Sequence, residues 1–365
     1  MRIELIGEKK IIMENPGERY NYFAWPSIER LRDGRIAVGA SGFRVRHICP
    51  YGKAVVMFSD DEGESYSAPT PVIDTSLDDR DCGLAAFGEN GLIVTSFNNT
   101  VRFQRKHAAP EDAAHLDSIT EEDELRDLGA TFRISHDGGK TFGPIYKSPV
   151  TSPHGPKELS DGTVMWLGRT FSCENAKMEK DCVKAYKVNT NDGSMEYLGE
   201  IENITVDGMS VLSCEPYAVQ LENGKIVAQI RVQSSPLKVY TTYQSESFDG
   251  GRTWTKPYPV LPTFGGAPSH LLRHSSGALI CTYGFRGDPY AKAPFGIRAM
   301  ISLDGGESWS DYTDIYVNNI SLDLGYPGTV ELRDGSLLTV FYAHESAKDP
   351  AVILQQKWRL VNDEI

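Results

Sequence analysis

The sequence contains no long apolar run. Its first residues, "MRIELIGEKKIIMENPGERY", lack the roughly 7–15-residue apolar core of a signal peptide. No later stretch approaches the roughly 18 consecutive apolar residues of a membrane span. Secretion and membrane insertion are therefore not expected, and a cytoplasmic location is the expectation.

Positive charge is also scarce. The 365 residues include 37 Lys and Arg against 50 Asp and Glu, which gives a formal net charge of -13 at pH 7. Such a surface repels nucleic acid and anionic membranes, so neither is an expected partner. A small ligand, or one with a neutral chain, fits this charge better. The sequence leaves homo-oligomerisation open.

Paired cysteines are absent as well. The six cysteines, at positions 49, 82, 173, 182, 214 and 281, form no Cys-x-x-Cys pair and no dense framework. Reduced thiols are therefore expected, and no zinc-binding pattern is present. No metal or organic cofactor is implied.

Turn residues, in contrast, are abundant, with 34 Gly and 20 Pro. Six segments, such as "RLRDGRIAVGA" and "ELRDGSLLTVFYA", consist of an apolar strand, a turn that ends in glycine and a second apolar strand. The turn glycines are Gly34, Gly91, Gly162, Gly224, Gly277 and Gly335. Their spacing leaves room for one four-stranded sheet in each interval, so the sequence predicts six sheets.

A second repeat lies between these hairpins. The octapeptides "SDDEGESY", "SHDGGKTF", "SFDGGRTW" and "SLDGGESW" all fit Ser-x-Asp-x-Gly-x-Ser/Thr-aromatic. The Asp can accept hydrogen bonds from the backbone, the Gly permits a left-handed turn, and the aromatic ring can pack beneath the sheet. A structural role at hairpin corners is therefore expected. Residues 186–197 look like a decayed copy.

These octapeptides resemble the Asp boxes of the sialidase superfamily, and with the hairpins the resemblance covers nearly the whole chain. It implies an all-β fold, a six-bladed β-propeller in a single domain of residues 1–365. The N- and C-terminal strands are expected to close the ring by pairing in one blade. A helical insertion is expected at about residues 105–129, either as inert surface or as a lid or oligomer contact.

The first strand of each propeller blade lines the central channel, so residues at one end of these strands converge on a common mouth. In blade two the run "DDRD" comprises Asp78, Asp79, Arg80 and Asp81. The other predicted mouth residues are Trp25 in blade one, His154 in blade three, Glu215 in blade four and Tyr326 in blade six. Five blades thus contribute polar or aromatic groups to one candidate site.

The resemblance also implies roles for particular residues. "CEPYAVQLENGKIVAQIR" resembles the family's Glu…Arg hairpin, which makes Glu215 the partner of the nucleophile and Arg231 a substrate-binding residue. "FGIRAMISLDGGESW" resembles the next arginine strand and implies Arg298. "GYPGTVELRDGSLLTVFYAHES" resembles the nucleophile strand and its buttressing glutamate, which implies Tyr326 and Glu345.

Two features depart from the family pattern. The Phe/Tyr-Arg-Ile-Pro motif appears as "FAWP", with Ala24 in place of the first arginine of the carboxylate-binding triad. The stretch "GFRVRHICPYGK" lacks the usual acid/base Asp and offers Arg44, Arg46 and His47. His47 is the expected general acid or base, since its ordinary pKa is near neutral. One of the two arginines is expected to replace the missing clamp.

The function predicted from these residues is that of a sialidase-like, exo-acting glycoside hydrolase. A phenol is a poor nucleophile at neutral pH unless a base such as Glu215 accepts its proton. The arginines imply a carbohydrate substrate with an acidic group, such as a sialic acid. Two alternatives stay open. One is a uronate lyase with His47 and Tyr326 as base and acid, and the other is a non-catalytic glycan-binding propeller.

Overall fold

In the computed structural model, six antiparallel sheets are arranged in a ring. This confirms the predicted six-bladed β-propeller. The structure describes residues 1–172 and 177–362, without the side chains of residues 172–182. The first strand of the chain is β1 (Arg2–Met13). Blade one contains β2 (Tyr22–Arg30), β3 (Ile36–Arg44), β4 (Lys53–Ser59) and β5 (Thr70–Ile73). Blade two contains β6 (Leu84–Phe87), β7 (Gly91–Phe97), β8 (Ala130–Ser135) and β9 (Tyr146–Ser148).

The remaining blades follow in chain order. Blade three contains β10 (Val150–Thr151), β11 (Lys157–Glu158), β12 (Val164–Ser172), β13 (Lys177–Val188) and β14 (Met195–Ile201), and a small sheet of β15 (Thr205–Val206) and β16 (Met209–Ser210) comes next. Blade four contains β17 (Leu212–Gln220), β18 (Ile226–Ser234), β19 (Val239–Ser247) and β20 (Tyr258–Pro259). Blade five contains β21 (Ser269–Arg273), β22 (Leu279–Phe285), β23 (Phe295–Ser302) and β24 (Thr313–Asn318). Blade six contains β25 (Gly325–Glu331), β26 (Leu337–His344) and β27 (Ala351–Val361), with β1 as its outer strand.

The ring is closed by pairing between the first and last strands. β1 runs antiparallel to β27, from Arg2 opposite Val361 to Met13 opposite Ile353. The predicted closure by the two ends of the chain is therefore confirmed. Buried apolar clusters fill the spaces between neighbouring blades; in one of them Ile28 of blade one packs with Val340 of blade six.

The inner hairpins turn as predicted in five blades and differently in one. Five of the six turn glycines have a positive φ, but Gly91 instead begins β7, and Gly88 provides the left-handed residue of that turn with φ 51°. Gly91 is still required, because a Cβ atom there would lie 2.4 Å from the Phe87 carbonyl oxygen.

Each of the four Asp boxes forms the expected hydrogen-bonded corner. In the third box Ser247 Oγ accepts from Gly251 N at 2.9 Å, while Asp249 accepts from the backbone N and the hydroxyl of Thr253 at 2.9 and 2.6 Å. Trp254 packs against the neighbouring apolar cluster. Asp61, Asp137 and Asp304 make the equivalent bonds in the other boxes. Residues 186–197 form the end of β13, a turn and the start of β14.

Helices occupy the loop between β7 and β8. They are α1 (Val101–His107), a 3-10 turn (Pro110–Asp112), α2 (Ala113–Ser118) and α3 (Glu121–Asp127). The helical segment therefore begins a few residues before the expected 105–129. No helix in the described part of the chain is long and apolar enough to cross a membrane.

The described cysteines are free thiols. Cys49, Cys82, Cys214 and Cys281 are buried and unpaired. The side chains of Cys173 and Cys182 lie outside the described part of the structure.

Candidate active site

Four of the predicted mouth residues have unusual backbone conformations. Trp25, Asp81, Glu215 and Tyr326 have φ values of 53°, 56°, 50° and 51°, a region that residues other than glycine rarely adopt. In β2, β17 and β25 the strand register shifts at these positions, as in a β-bulge. Bulges redirect side chains, and strain of about 1–3 kcal/mol per residue is typical of functional sites.

Tyr326 and Glu215 are in direct contact across the channel mouth. The Tyr326 hydroxyl donates a hydrogen bond to Glu215 Oε1 at 2.7 Å. Arg231 Nη1 donates to Glu215 Oε2 at 2.7 Å and lies 3.4 Å from the Tyr326 oxygen, while its Nη2 donates to Gln233 Oε1 at 2.6 Å. The hairpin formed by β17 and β18 thus carries the glutamate and the arginine that the sequence placed together.

The charges around Tyr326 and Glu215 determine which of the two side chains holds the proton. Burial alone would raise the pKa of Glu215, but the charge and hydrogen bond of Arg231 and the hydrogen bond from Tyr326 outweigh it, so the pKa of Glu215 is lowered. Burial and the negative charge of Glu215 raise the pKa of Tyr326 well above its usual value. The resting pair is therefore a neutral phenol that donates to a carboxylate.

Asp81 is the second carboxyl group of the mouth. It is only 8% exposed, and no group among the described residues donates a hydrogen bond to its carboxyl oxygens. It lines a cavity of about 140 Å³ together with Glu215, Arg231 and Arg169. Burial, and then the charge of Glu215, raise its pKa to about 7. A carboxyl group with a shifted pKa and free space before it is typical of an active site.

Arg286 is a mouth residue that the sequence analysis missed. The charge of Arg286 contributes to the lowered pKa of Glu215. The Tyr240 ring packs against both arginines, with its centroid 4.9 Å from Arg231 Cζ and 5.4 Å from Arg286 Cζ. Arg286 Nη2 donates to the Leu324 carbonyl at 3.3 Å, and its buried Nε has no hydrogen-bond partner among the residues that the structure describes.

A repeated sequence signal points to Arg286. The second strand of four blades carries an arginine within its last four residues or directly after its end, and the tripeptide "GFR" occurs at both 42–44 and 284–286. These arginines are Arg44, Arg169, Arg231 and Arg286. Because second strands run back toward the mouth, their last residues face it.

Arg298 is not placed with the Tyr326–Glu215 pair, which differs from the expectation. It lies on β23, the third strand of its blade, and its Nε donates to Asp314 of β24 at 3.0 Å. Its guanidinium stacks between the rings of Phe285 and Tyr312, 3.4 and 3.7 Å from their centroids. A third strand is two sheet positions from the channel, or about 10 Å, which places its side chains toward the outside of the blade.

Trp25 is enclosed by two arginines of the predicted set. The guanidinium carbons of Arg80 and Arg44 lie 4.2 and 4.8 Å from its ring centroid. Arg44 is completely buried and forms an ion pair with Asp78, so it is not available to a substrate, contrary to the expectation. Arg80 remains at the edge of the mouth and donates to the His47 carbonyl at 3.0 Å.

Arg46 contacts the helical insertion instead of the mouth. It donates to Glu111 at 2.7 Å and also to Asp112, two residues of the 3-10 turn. The expected clamp role is therefore not supported by its contacts. Since the acidic partners lie more than 60 residues away in sequence, the pattern around Arg46 could not reveal them.

His47 lies on the far side of Trp25. Its ring packs edge-on against Trp25 at 4.9 Å, and its Nδ1 donates to Asp323 at 2.9 Å. Asp323 also accepts hydrogen bonds from Tyr22, Tyr342 and His344. Burial lowers the pKa of His47, although its side chain is 46% exposed. It lines a separate groove of about 770 Å³ between blades one and six, outside the Asp81 cavity.

Two further candidates also differ from their expected positions. His154 is buried inside the channel, 3.2 Å from the Ser27 hydroxyl and packed against the His270 ring, and burial lowers its pKa to about 4. Glu345 follows the end of β26 and pairs with Lys9 of β1 at the outer edge of blade six. Neither contacts the Tyr326–Glu215 pair. Within residues 1–172 and 177–362 no group of His, Cys, Asp or Glu side chains is arranged to hold a metal ion.

Residues 119–340 match the family described as the BNR repeat-like domain. No curated protein sequence matches the chain.

Several solved structures share the fold. A protein of unknown function from Dyadobacter fermentans superposes with a TM-score of 0.76 at 19% identity, over 98% of this chain and 99% of that one. The NanB sialidase from Streptococcus pneumoniae gives 0.66 at 12% identity, over 96% and 70%. The intramolecular trans-sialidase from Ruminococcus gnavus gives 0.62 at 13% identity, over 96% and 97%. At these identities the similarity establishes the propeller fold.

Proposed function

Because the chain belongs to the BNR repeat-like family of Asp-box propellers, within the sialidase superfamily, we propose that it is a retaining glycoside hydrolase that removes a terminal acidic sugar. The observation that carries this proposal is the 2.7 Å hydrogen bond from Tyr326 to the ionised Glu215.

Tyr326 acts as the nucleophile in this proposal. Its high pKa keeps it neutral at rest, so attack on the anomeric carbon requires transfer of its proton to Glu215. A neutral phenol approaches a negatively charged substrate without the repulsion that a carboxylate nucleophile would meet. The intermediate is a glycosyl-tyrosine. Water then attacks the anomeric carbon from the face that the leaving group vacated, which retains the anomeric configuration.

The acidic group of the substrate is bound by Arg231 and Arg286. Glu215 neutralises Arg231, while Arg286 forms no ion pair with a carboxylate in the described part of the chain. One positive charge is therefore left for a ligand, and guanidinium groups match carboxylates in geometry. A cavity of about 140 Å³ that is lined in part by Glu215 and Arg231 gives the ligand space beside this pair.

A panel of 4-nitrophenyl glycosides tests the function. The panel contains sialosides, uronides and neutral sugars, and we expect turnover of an acidic member with retention of configuration. Release of an unsaturated product with ultraviolet absorbance would instead identify a lyase. Binding of an acidic sugar without any turnover would identify a glycan-binding propeller.

A further inference from the structure

We propose that Asp81 is the proton donor to the leaving group of this reaction, an inference that rests on the proposed function. The position that usually holds the acidic residue, ahead of the first Asp box, contains no Asp here. The reaction still requires an acid, because an alkoxide is a poor leaving group. Asp81 is placed in a different blade from that loop, at the start of blade two.

The surroundings of Asp81 leave its carboxyl group free for a substrate. Its side chain is more than nine-tenths buried, yet among the described residues no donor binds its oxygens. Glu215 and Arg231, which flank the nucleophile, line the same cavity. A buried carboxyl group that faces open space, with every neighbouring carboxylate paired, is available to exchange a proton with a ligand.

The backbone on both sides of Asp81 holds its carboxyl group in this position. Asp81 has φ 56°, close to the values at Glu215 and Tyr326. Arg80, the preceding residue, exchanges two backbone hydrogen bonds with Phe97, at 2.8 and 3.2 Å, and Cys82 after it is buried. With both neighbours held, the left-handed residue between them directs its side chain to the mouth at a cost in strain.

The charges around Asp81 allow it to hold a proton near neutral pH. Burial and the Glu215 carboxylate favour the protonated form, and together they outweigh three nearby arginines, so the pKa is raised to about 7. The charged groups around it are Glu215, Arg44, Arg80, Arg231 and, across the cavity, Arg169. His47, the alternative acid, is bound to Asp323 and lines a different groove.

The proton transfers balance over the two steps. In the first step the Tyr326 oxygen bonds to the anomeric carbon and its proton passes to Glu215. The bond from that carbon to the leaving oxygen breaks, and this oxygen takes the proton of Asp81, so that an alcohol departs. In the second step the Asp81 carboxylate takes a proton from the attacking water, and Glu215 returns its proton to the Tyr326 oxygen.

Asp79 provides a matched control in the same loop. Burial raises its pKa to about 7 as well, but its oxygens accept from Thr75 N at 2.6 Å, from Thr75 Oγ1 at 3.0 Å and from Asn98 at 3.2 Å. A proton on Asp79 is therefore held away from the mouth. Substitution of Asp79 can weaken the fold but should not distinguish one leaving group from another.

The test compares two leaving groups on one sugar. Asp81→Asn and Asp79→Asn are assayed with the best acidic sugar of the panel, carried on 4-nitrophenol, a good leaving group, and on methanol, a poor one. For Asp81→Asn we expect kcat/KM to fall about 10²–10⁴-fold on the methyl glycoside and less than about tenfold on the nitrophenyl glycoside. Asp79→Asn should lower both equally.

The pH profile provides a second readout. Because the acid must be protonated, kcat/KM of the parent enzyme on the methyl glycoside should fall as pH rises through about 7, and Asp81→Asn should lose this limb. If Asp81→Asn loses activity equally on both glycosides, or if it keeps the fall in kcat/KM at alkaline pH, the assignment of Asp81 is overturned. The proposed hydrolase activity would not be affected by either result. A parent enzyme that cleaves neither glycoside would overturn both proposals.

Discussion

Tyr326 and Glu215 form a proton-transfer pair whose position follows from their strands. Each lies in the first half of the inner strand of its blade, each has a left-handed φ, and each is followed by a proline that cannot donate to the neighbouring strand. The order and spacing of the two segments were sufficient to predict the pair from the sequence. The contact between the two side chains supports a role for them in the reaction. A mutation can test this role separately from any effect on protein stability.

Tyr326→Phe removes only the hydroxyl of this pair. We expect kcat to fall by at least about a thousandfold, because the nucleophile is lost, with little change in melting temperature. Tyr342→Phe is the matched control: it removes a buried hydroxyl that donates to Asp323 at 2.9 Å in the same blade. A Tyr326→Phe enzyme with near-normal turnover would exclude Tyr326 as the nucleophile.

The arginines were harder to assign from the sequence. Arg286 directly follows β22 and Arg298 lies on β23, the next strand of blade five, and spacing alone did not distinguish the strand that ends at the mouth from its neighbour. Arg44 and Arg46 have acidic partners, Asp78 and Asp112, that only the fold brings near. Whether an arginine is free for a ligand depends on such partners, so it could not be decided from the local pattern.

Arg286→Lys tests which arginine binds the acidic group. The substitution keeps the charge but loses the planar fork, so kcat/KM on an acidic sugar should fall about ten- to a hundredfold. A neutral analogue should react poorly with the parent enzyme and lose little more. Arg298→Lys, in the same blade, should leave this selectivity unchanged. The reverse result for the two variants would return the substrate role to Arg298.

The structure of the Asp boxes could be predicted almost entirely from their own sequence. Donors and acceptors lie within five residues of each other, as in the bonds from Ser59 and Ser65 to Asp61. Local bonds of this kind can be predicted from an octapeptide. The helical insertion is the opposite case, because its position depends on long-range contacts such as Gln104 with Asp78.

Asp61→Ala tests the structural role of the first box. Hydrogen bonds from the side chain and backbone of Ser65 lower the pKa of Asp61 to about 2. The stabilisation is complete above the unfolded pKa of about 4 and is lost as pH falls toward about 2. At pH 7 we expect a melting temperature lower by about 2–4 °C, and this deficit should shrink over that acidic range.

Asp60→Ala is the control for this measurement. Asp60 is the exposed neighbour of Asp61 and makes no hydrogen bond with the described residues. Its loss should leave the melting temperature unchanged, and neither substitution should alter KM. An equal effect of the two substitutions would show that surface charge, and not the corner, determines the difference.

The whole ring depends on a pairing between segments at opposite ends of the chain. β1 is an exposed outer strand, and its hydrogen bonds to β27 join blade six to the segment that leads into blade one. The resemblance to a propeller family predicted this closure, because a ring without free edges needs such a pairing. Its register, including the shift between Ile6 and Lys10, could not be predicted from either strand alone.

A disulfide across this pairing should stabilise the entire propeller. Glu4 and Arg359 lie directly opposite each other, and their side chains meet on the same face at 2.8 Å. Directly opposite residues of antiparallel strands have Cα atoms about 4.5–5.5 Å apart, a separation that disulfides accommodate. Replacing both residues with cysteine removes only an exposed ion pair, which contributes about 0–1 kcal/mol.

The two positions are 355 residues apart, so the cross-link would restrict nearly the whole unfolded chain. The resulting stabilisation is about 6 kcal/mol at most, and the melting temperature of the oxidised double variant should exceed that of its reduced form by several degrees. The parent protein under the same two conditions controls for its own thiols, of which Cys49, Cys82, Cys214 and Cys281 are buried. An oxidised variant that contains the cross-link but melts no higher than its reduced form would contradict this prediction.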